Sequence, residues 1–181
     1  SLSNLKRLTW SIERIELQPI SIQKLIKEDA IVIDFGFKST NIFTYKNGSL
    51  FDIHNISIGG KTLEQSIPED IAKEYKDIHS SFVWNDFLDE NDYKEEEILV
   101  SKAITEEVNN LSNEVKKHIR NLELENNISF ENIYYVGGLS KLLYLPETIS
   151  KDLKLNIRPI NFLTYETKKE NYDLNTNLLN D

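Results

Sequence analysis

The sequence predicts an α/β fold organised around a mixed sheet, and three features carry that reading. A run of β-branched residues, Ala30-Ile31-Val32-Ile33, has the character of a buried strand. Two further runs, Asn41-Ile42-Phe43-Thr44-Tyr45 and Leu50-Phe51-Asp52-Ile53, flank Asn47-Gly48. Asn-Gly between apolar runs is a strong signal for a two-residue hairpin, so the three runs form an antiparallel meander. From Ile98 onward, Ile104, Val108, Leu111, Val115, Ile119 and Leu122 recur at spacings of three and four, the signature of a long amphipathic helix. Ile133-Tyr134-Tyr135-Val136 is then a second buried strand. Strand-then-helix units that return to one sheet make that sheet mixed.

The remaining elements fill in around these. Trp10 to Leu17 alternates polar and apolar residues and suits a strand. Pro19 opens a short helix through Ile20, Leu25 and Ile26, because proline is accepted in a first turn. Ser57-Ile58-Gly59-Gly60 closes the meander, and Thr62 with Gln65 reads as a capping box that starts a helix. Glu69 to Phe87 reads as helical, with Ile71, Tyr75 and Ile78 on one face. The acidic stretch from Asp86 to Glu97 reads as an exposed loop. Asn126-Asn127 stops the long helix, Leu142 to Leu153 forms a helix interrupted near Pro146, and Leu155 to Ile160 is a last short strand. The folded part covers 8–162, and the polar, Asn-rich tail 163–181 carries no packing signal.

Composition narrows the function classes. With 181 residues, 39% apolar and 28% charged, the chain is an ordinary globular one able to bury a core. No apolar run approaches the roughly 18 residues needed to cross a bilayer. No cysteine is present, which excludes disulfides and thiolate metal sites and makes a reducing cytosol the default compartment. A net charge of −9 opposes binding to nucleic acid or to anionic lipid, so neither nucleic acid nor direct membrane insertion is expected. The absence of methionine points to a piece of a longer chain.

The glycines are few and unevenly placed. Of six, only Gly48 has a purely local turn role; Gly36, Gly59, Gly60, Gly137 and Gly138 all follow strands. Glycine serves where backbone must take a positive φ or approach a ligand closely. The turn Asp34-Phe35-Gly36-Phe37-Lys38-Ser39-Thr40 can form an anion site from backbone N–H groups, with Ser39 and Thr40 adding hydroxyls and Lys38 a charge. Asp34 ends a buried strand and can orient a divalent metal or its waters. Gly137-Gly138 can let a nucleoside lie against the backbone at the carboxyl end of a strand. Taken alone, the Asp34 turn reads equally as an ordinary hairpin turn, and Gly137-Gly138 reads first as a plain strand-to-helix turn.

Together these pieces resemble the actin, Hsp70 and sugar-kinase superfamily. Asp34, Gly36, Ser39 and Thr40 match its D-x-G-x-x-T-T phosphate loop. A meander ending in Gly59-Gly60 follows, and Val136-Gly137-Gly138-Leu139-Ser140 resembles its adenosine motif. The resemblance covers Leu8 to Ile160 and implies the ribonuclease H-like C-terminal half of an actin-like fold. It implies ATP and Mg as cofactors in the full-length protein, with nucleotide contacts from Asp34, Gly36, Lys38, Ser39, Thr40, Gly59, Gly60, Gly137, Gly138 and Leu139, and Mg held at Asp34. The nearest branch is PilM, the cytoplasmic actin-like protein of type IV pilus assembly. Its features are matched by the helix from Glu106 to Arg120, by Gly137-Gly138-Leu139-Ser140-Lys141-Leu142 with Leu145-Pro146, and by Leu155 to Ile160. FtsA, the cell-division member, is the nearest competitor; it carries Gly-Gly-Thr-Thr where Phe37 and Lys38 stand, and it ends in a basic amphipathic helix unlike Tyr172 to Asp181.

What the resemblance implies is an assembly protein whose nucleotide state governs docking to membrane-anchored partners, with self-association as a second mode. The alternatives are a division or plasmid-segregation homologue, a small-molecule kinase or ATPase, or a scaffold that has lost nucleotide binding, which Phe35 and Phe37 in the loop would fit. The other wall of the cleft belongs to an absent N-terminal half, so this piece alone is not expected to hydrolyse ATP. His54, His79 and His118 have no ligand-like spacing, and the acidic run Asp89 to Glu97 lacks the form of a calcium loop. Phe82, Trp84 and Phe87 would make a docking patch if exposed.

Overall fold

Hydrophobic burial on both faces of one central strand organises the molecule. The computed structural model describes residues 18–72, 81–85 and 88–160. Strand β1 (Ala30–Phe35) is buried along its whole length, as its run of branched apolar residues requires. It pairs antiparallel with β2 (Thr40–Lys46), which pairs antiparallel with β3 (Ser49–Ile56). On its other side β1 pairs parallel with β4 (Ile133–Val136), and β4 with β5 (Ile157–Pro159). The sheet order is therefore β3-β2-β1-β4-β5. The expected meander is present. At the β2–β3 hairpin Asn47 and Gly48 take φ of 51° and 70°, the left-handed pair of a type I′ turn. Asp29 Oδ1 accepts the Asn47 N–H at 2.6 Å.

Helices cover the two faces unequally. Short α1 (Gln18–Gln23) contributes Ile22 to a smaller core with Ile26, Ala30, Val32, Phe43 and Tyr45; the Tyr45 hydroxyl donates to the Pro19 carbonyl at 2.8 Å. The larger core lies on the opposite face, where Ile31, Ile33, Phe35 and Ile42 meet α2 (Gly60–Ser66), α4 (Glu95–Asn126) and α5 (Leu145–Leu153). The apolar stripe read in the sequence is the buried face of α4. Asn127 ends α4 in the left-handed conformation, at φ 50°, as the Asn126-Asn127 stop anticipated.

Several boundaries differ from the sequence reading, each for a local reason. Helix α4 starts at Glu95, not Ile98: Glu95, Glu96 and Glu97 form its first turn, where acidic side chains favour the positive helix end, and Glu97 Oε2 accepts the Lys94 N–H at 2.8 Å. Their acidity marks a helix start rather than a loop; ahead of it, Glu90–Asp92 is a short 3-10 turn. Of the expected helix over Glu69 to Phe87, the described residues include α3 (Glu69–Ala72) and the non-helical 81–85, and the remainder lies outside them. Residues 81–85 are extended, tied by Val83 N–H to Leu143 O (3.0 Å), by Trp84 N–H to Thr105 Oγ1 (2.6 Å) and by Ser101 Oγ to Phe82 O (2.7 Å). Pro146 does not interrupt a helix but sits in the first turn of α5, and a 3-10 turn, Gly138–Lys141, precedes it. The expected strand Trp10–Leu17, the residues Tyr75, Ile78, His79 and Phe87, and the tail 163–181 lie outside the described residues.

Candidate functional site

Three glycine-bearing turns meet at one end of the sheet. Because β1 and β4 are parallel with Asp34 opposite Val136, the turn after Phe35 and the turn after Val136 open side by side. The third turn folds onto the first: Gly60 N–H donates to Gly36 O at 3.1 Å and Lys61 N–H to Phe37 O at 2.7 Å. The approach is backbone against backbone. A Cβ on Gly59 would come within 2.7 Å of Phe37 O and Ser39 N and 2.8 Å of Gly36 O, so no other residue fits there without moving the loop. Thr40, fully buried, donates its hydroxyl to Ile58 O at 2.9 Å and fastens the same junction from below.

Asp34 lies at the centre of this junction. It is 7% exposed, and its carboxylate has no hydrogen-bond partner among the described residues. Its oxygens are not fully enclosed, so a cation or water can reach them. Gly137 crosses directly above: its φ is +98°, and a Cβ there would strike the Phe35 carbonyl and come within 2.6 Å of Asp34 Oδ1. The next residue is the reverse case. Gly138 has nothing within 4 Å of a Cβ and is exposed, so its backbone is open to a flat ligand. Ser140 Oγ donates to Gly137 O at 2.6 Å and holds the turn. Buried Leu139 reaches toward the Gly60 position, linking the second and third turns by apolar contact.

The residues picked from the sequence therefore come together, in unequal roles. Lys38 is exposed and Ser39 half-buried. The N–H groups of Phe37, Lys38 and Ser39 have no acceptor among the described residues. Those of Gly60 and Lys61 are already engaged by the loop carbonyls. Thr62 is not the residue that caps α2: Gly59 holds that position, and Thr62 Oγ1, one turn in, accepts the Gly59 N–H at 3.4 Å. Phe37 is 55% exposed at the mouth of the loop, with its ring against Gly60. The donor set suits a Mg-nucleotide: a buried carboxylate for the metal, free amides for phosphate oxygens, and open backbone at Gly138.

Other side chains fall into packed clusters away from this end. His54 on β3 and His118 on α4 stack face to face, 3.9 Å between ring centres, a pairing that sequence spacing could not reveal because it joins strand to helix. His118 Nε2 lies 3.2 Å from Asp52 Oδ2, a contact that is an ion pair only when the imidazole is protonated. Burial, then the neighbouring His54, push the His118 imidazole below its ordinary range, against the pull of Asp52 and Glu125. Phe82 and Trp84 are half-buried against Tyr93, with Lys102 over the Trp84 ring and paired to Glu90. Among the described residues no group of three or more His, Asp or Glu is arranged to hold a metal, and no helix is long and apolar enough to cross a membrane.

A five-stranded sheet of this order, with an antiparallel meander and two parallel strands returned by helices, is the ribonuclease H-like half of an actin-like fold, and the chain has the fold of the actin-like ATPases. No protein-family profile matches the sequence, and no curated protein does. Solved structures do. The chain is similar to PilM in a "PilM-PilN type IV pilus biogenesis complex", with 21% identity, 79% of this chain and 39% of that one aligned, and a TM-score of 0.54. It is also similar to MreB5 of Spiroplasma citri bound to ADP, with 15% identity, 99% and 66% aligned, and a TM-score of 0.62. A third is MamK in a double helical filament, with 17% identity, 77% and 51% aligned, and a TM-score of 0.51. The chain spans less than two thirds of the length of each.

Proposed function

We propose that this chain is the nucleotide-binding half of a PilM-like, actin-like assembly protein, which binds Mg-ATP at the carboxyl ends of β1 and β4. The observation that carries the reading is the convergence of three glycine turns on a buried, unpartnered Asp34. Asp34 would hold magnesium, directly or through water. The amides of Phe37, Lys38 and Ser39, with the Ser39 hydroxyl and the Lys38 ammonium, would hold phosphate. Gly137 brings the chain across, and Gly138 with Leu139 would meet the nucleoside. The metal would offset phosphate charge and fix the phosphate geometry. Gly36, Gly59, Gly60 and Thr40 support the loop from behind. The likeness to PilM in a complex and to MamK in a filament favours an assembly role, through membrane-anchored partners at the inner face of the membrane or through self-association.

One observation favours a second reading, a scaffold that keeps the fold without nucleotide. Phe37 stands exposed where the loop would meet phosphate, and the amides of Gly60 and Lys61 are engaged. Calorimetric titration of Mg-ATP into the full-length protein separates the two. Saturable binding that weakens roughly 10- to 100-fold in Asp34→Ala supports the site. Absence of binding at millimolar nucleotide leaves the scaffold, and unchanged affinity in Asp34→Ala removes that residue from its role.

A further inference from the structure

The two edges of the sheet differ in how they meet solvent. Strand β5 is three residues long and carries Arg158 and Pro159, two of the devices by which natural edges avoid pairing. Strand β3 is eight residues long, Ser49-Leu50-Phe51-Asp52-Ile53-His54-Asn55-Ile56, with no lysine, arginine or proline, and among the described residues it has no outer neighbour. It also holds two of the exposed large hydrophobics, Phe51 at 44% and Ile53 at 54%. Such an edge is a template for another strand.

We infer that β3 is a self-association surface, pairing antiparallel with β3 of a second copy about a two-fold axis at Ile53. The register follows from chemistry. Antiparallel partners directly opposite turn their backbone groups either both toward the seam or both away from it, so a two-fold axis passes through a residue and not between two. Centred on Asp52, the seam sets two carboxylates against each other. Centred on His54, it sets two imidazoles together and leaves Asp52 opposite Ile56. Centred on Ile53, it sets Asp52 opposite His54 of the second copy twice over and joins the two exposed Ile53 side chains. A carboxylate facing an imidazole, which can donate to it, and apolar pairs stabilise facing positions, and two carboxylates oppose each other.

The faces agree with this register. Ile53 lies opposite Phe43 and shares its face, so the joined isoleucines extend the smaller core across the seam. Asp52 and His54 lie opposite Thr44 and Ile42, on the face of α4, where His54 is already backed by the His118 ring. The irregularity between Thr44 and Tyr45 leaves Phe51 as an extra residue on β3, so regular pairing centres on Asp52, Ile53 and His54. The interface is isologous and closes as a dimer. The inference rests on the sheet edge and is independent of the nucleotide reading, since no residue of the Asp34 junction takes part.

The absence of cysteine makes the register directly readable. Under mild oxidation, Ile53→Cys should give a disulfide-linked dimer well ahead of Leu124→Cys, an exposed position on α4. Asp52→Cys and His54→Cys should each cross-link poorly alone but efficiently when mixed. Sedimentation equilibrium should show a concentration-dependent dimer that Ile53→Lys abolishes. A monomer at every concentration, cross-linking of Ile53→Cys no faster than Leu124→Cys, or a dimer that survives Ile53→Lys would each overturn the proposal. A segment of the same molecule covering the edge would show itself as the first of these.

Discussion

Gly137 and Gly138 are neighbours with opposite requirements, and the pair separates folding from binding. At Gly137 an added methyl meets the Phe35 carbonyl and Asp34 at a positive φ, so Gly137→Ala should lower stability by about 1–3 kcal/mol from backbone strain alone, read as a shift in denaturation midpoint. At Gly138 an added methyl meets nothing within 4 Å. Gly138→Ala should leave the midpoint within about 0.5 kcal/mol while weakening nucleotide binding, and a binding curve identical to the parent's would remove Gly138 from the site. The sequence marked both glycines because each follows a strand, but it could not tell them apart. That distinction depends on which backbone runs beneath each, a property of the β1–β4 register. Asp34 was legible for the opposite reason: a carboxylate at the end of an apolar strand stands out wherever the strand goes.

Helix α4 is the element whose pattern was clearest and whose start was misread. Its buried stripe needs only local periodicity, so it survives translation from sequence to structure; its first turn, Glu95 to Glu97, has the composition of a loop and the chemistry of a helix start. Leu111 is fully buried in the larger core at the middle of the helix, and Leu111→Ala should cost about 2–5 kcal/mol, measured by chemical denaturation. The contact of α4 with β3 should be pH-sensitive. Facing His118 are His54 and Asp52 from β3 and Glu125 from α4 itself. Because the folded state lowers the His118 pKa, the unfolded chain binds more protons just below the ordinary histidine range near 6.5. Stability should therefore fall as pH drops through that window and level off below the depressed value. His118→Asn should flatten this part of the profile; an unaltered slope would place the titration elsewhere.

At the scale of the whole molecule, the meander, the late parallel strands and the order of the glycine turns were legible because each rests on short-range signals in a fixed succession. The stretch after α3 was not, because residues 81–85 are held extended by Leu143, Ser101 and Thr105, partners 19 and more positions away. The stacked histidines and the unequal sheet edges were hidden for the same reason. The central claim is that three turns separated in sequence act as one nucleotide site, and amide hydrogen exchange of the full-length protein with and without Mg-ATP tests it most directly. Phe37, Lys38 and Ser39, whose amides have no acceptor among the described residues, should exchange fast alone and slow markedly on adding nucleotide, together with the turn at Gly138. Gly60 and Lys61, already hydrogen-bonded, should change little. Exchange at residues 37–39 and 138 that is unmoved by saturating Mg-ATP would contradict the account.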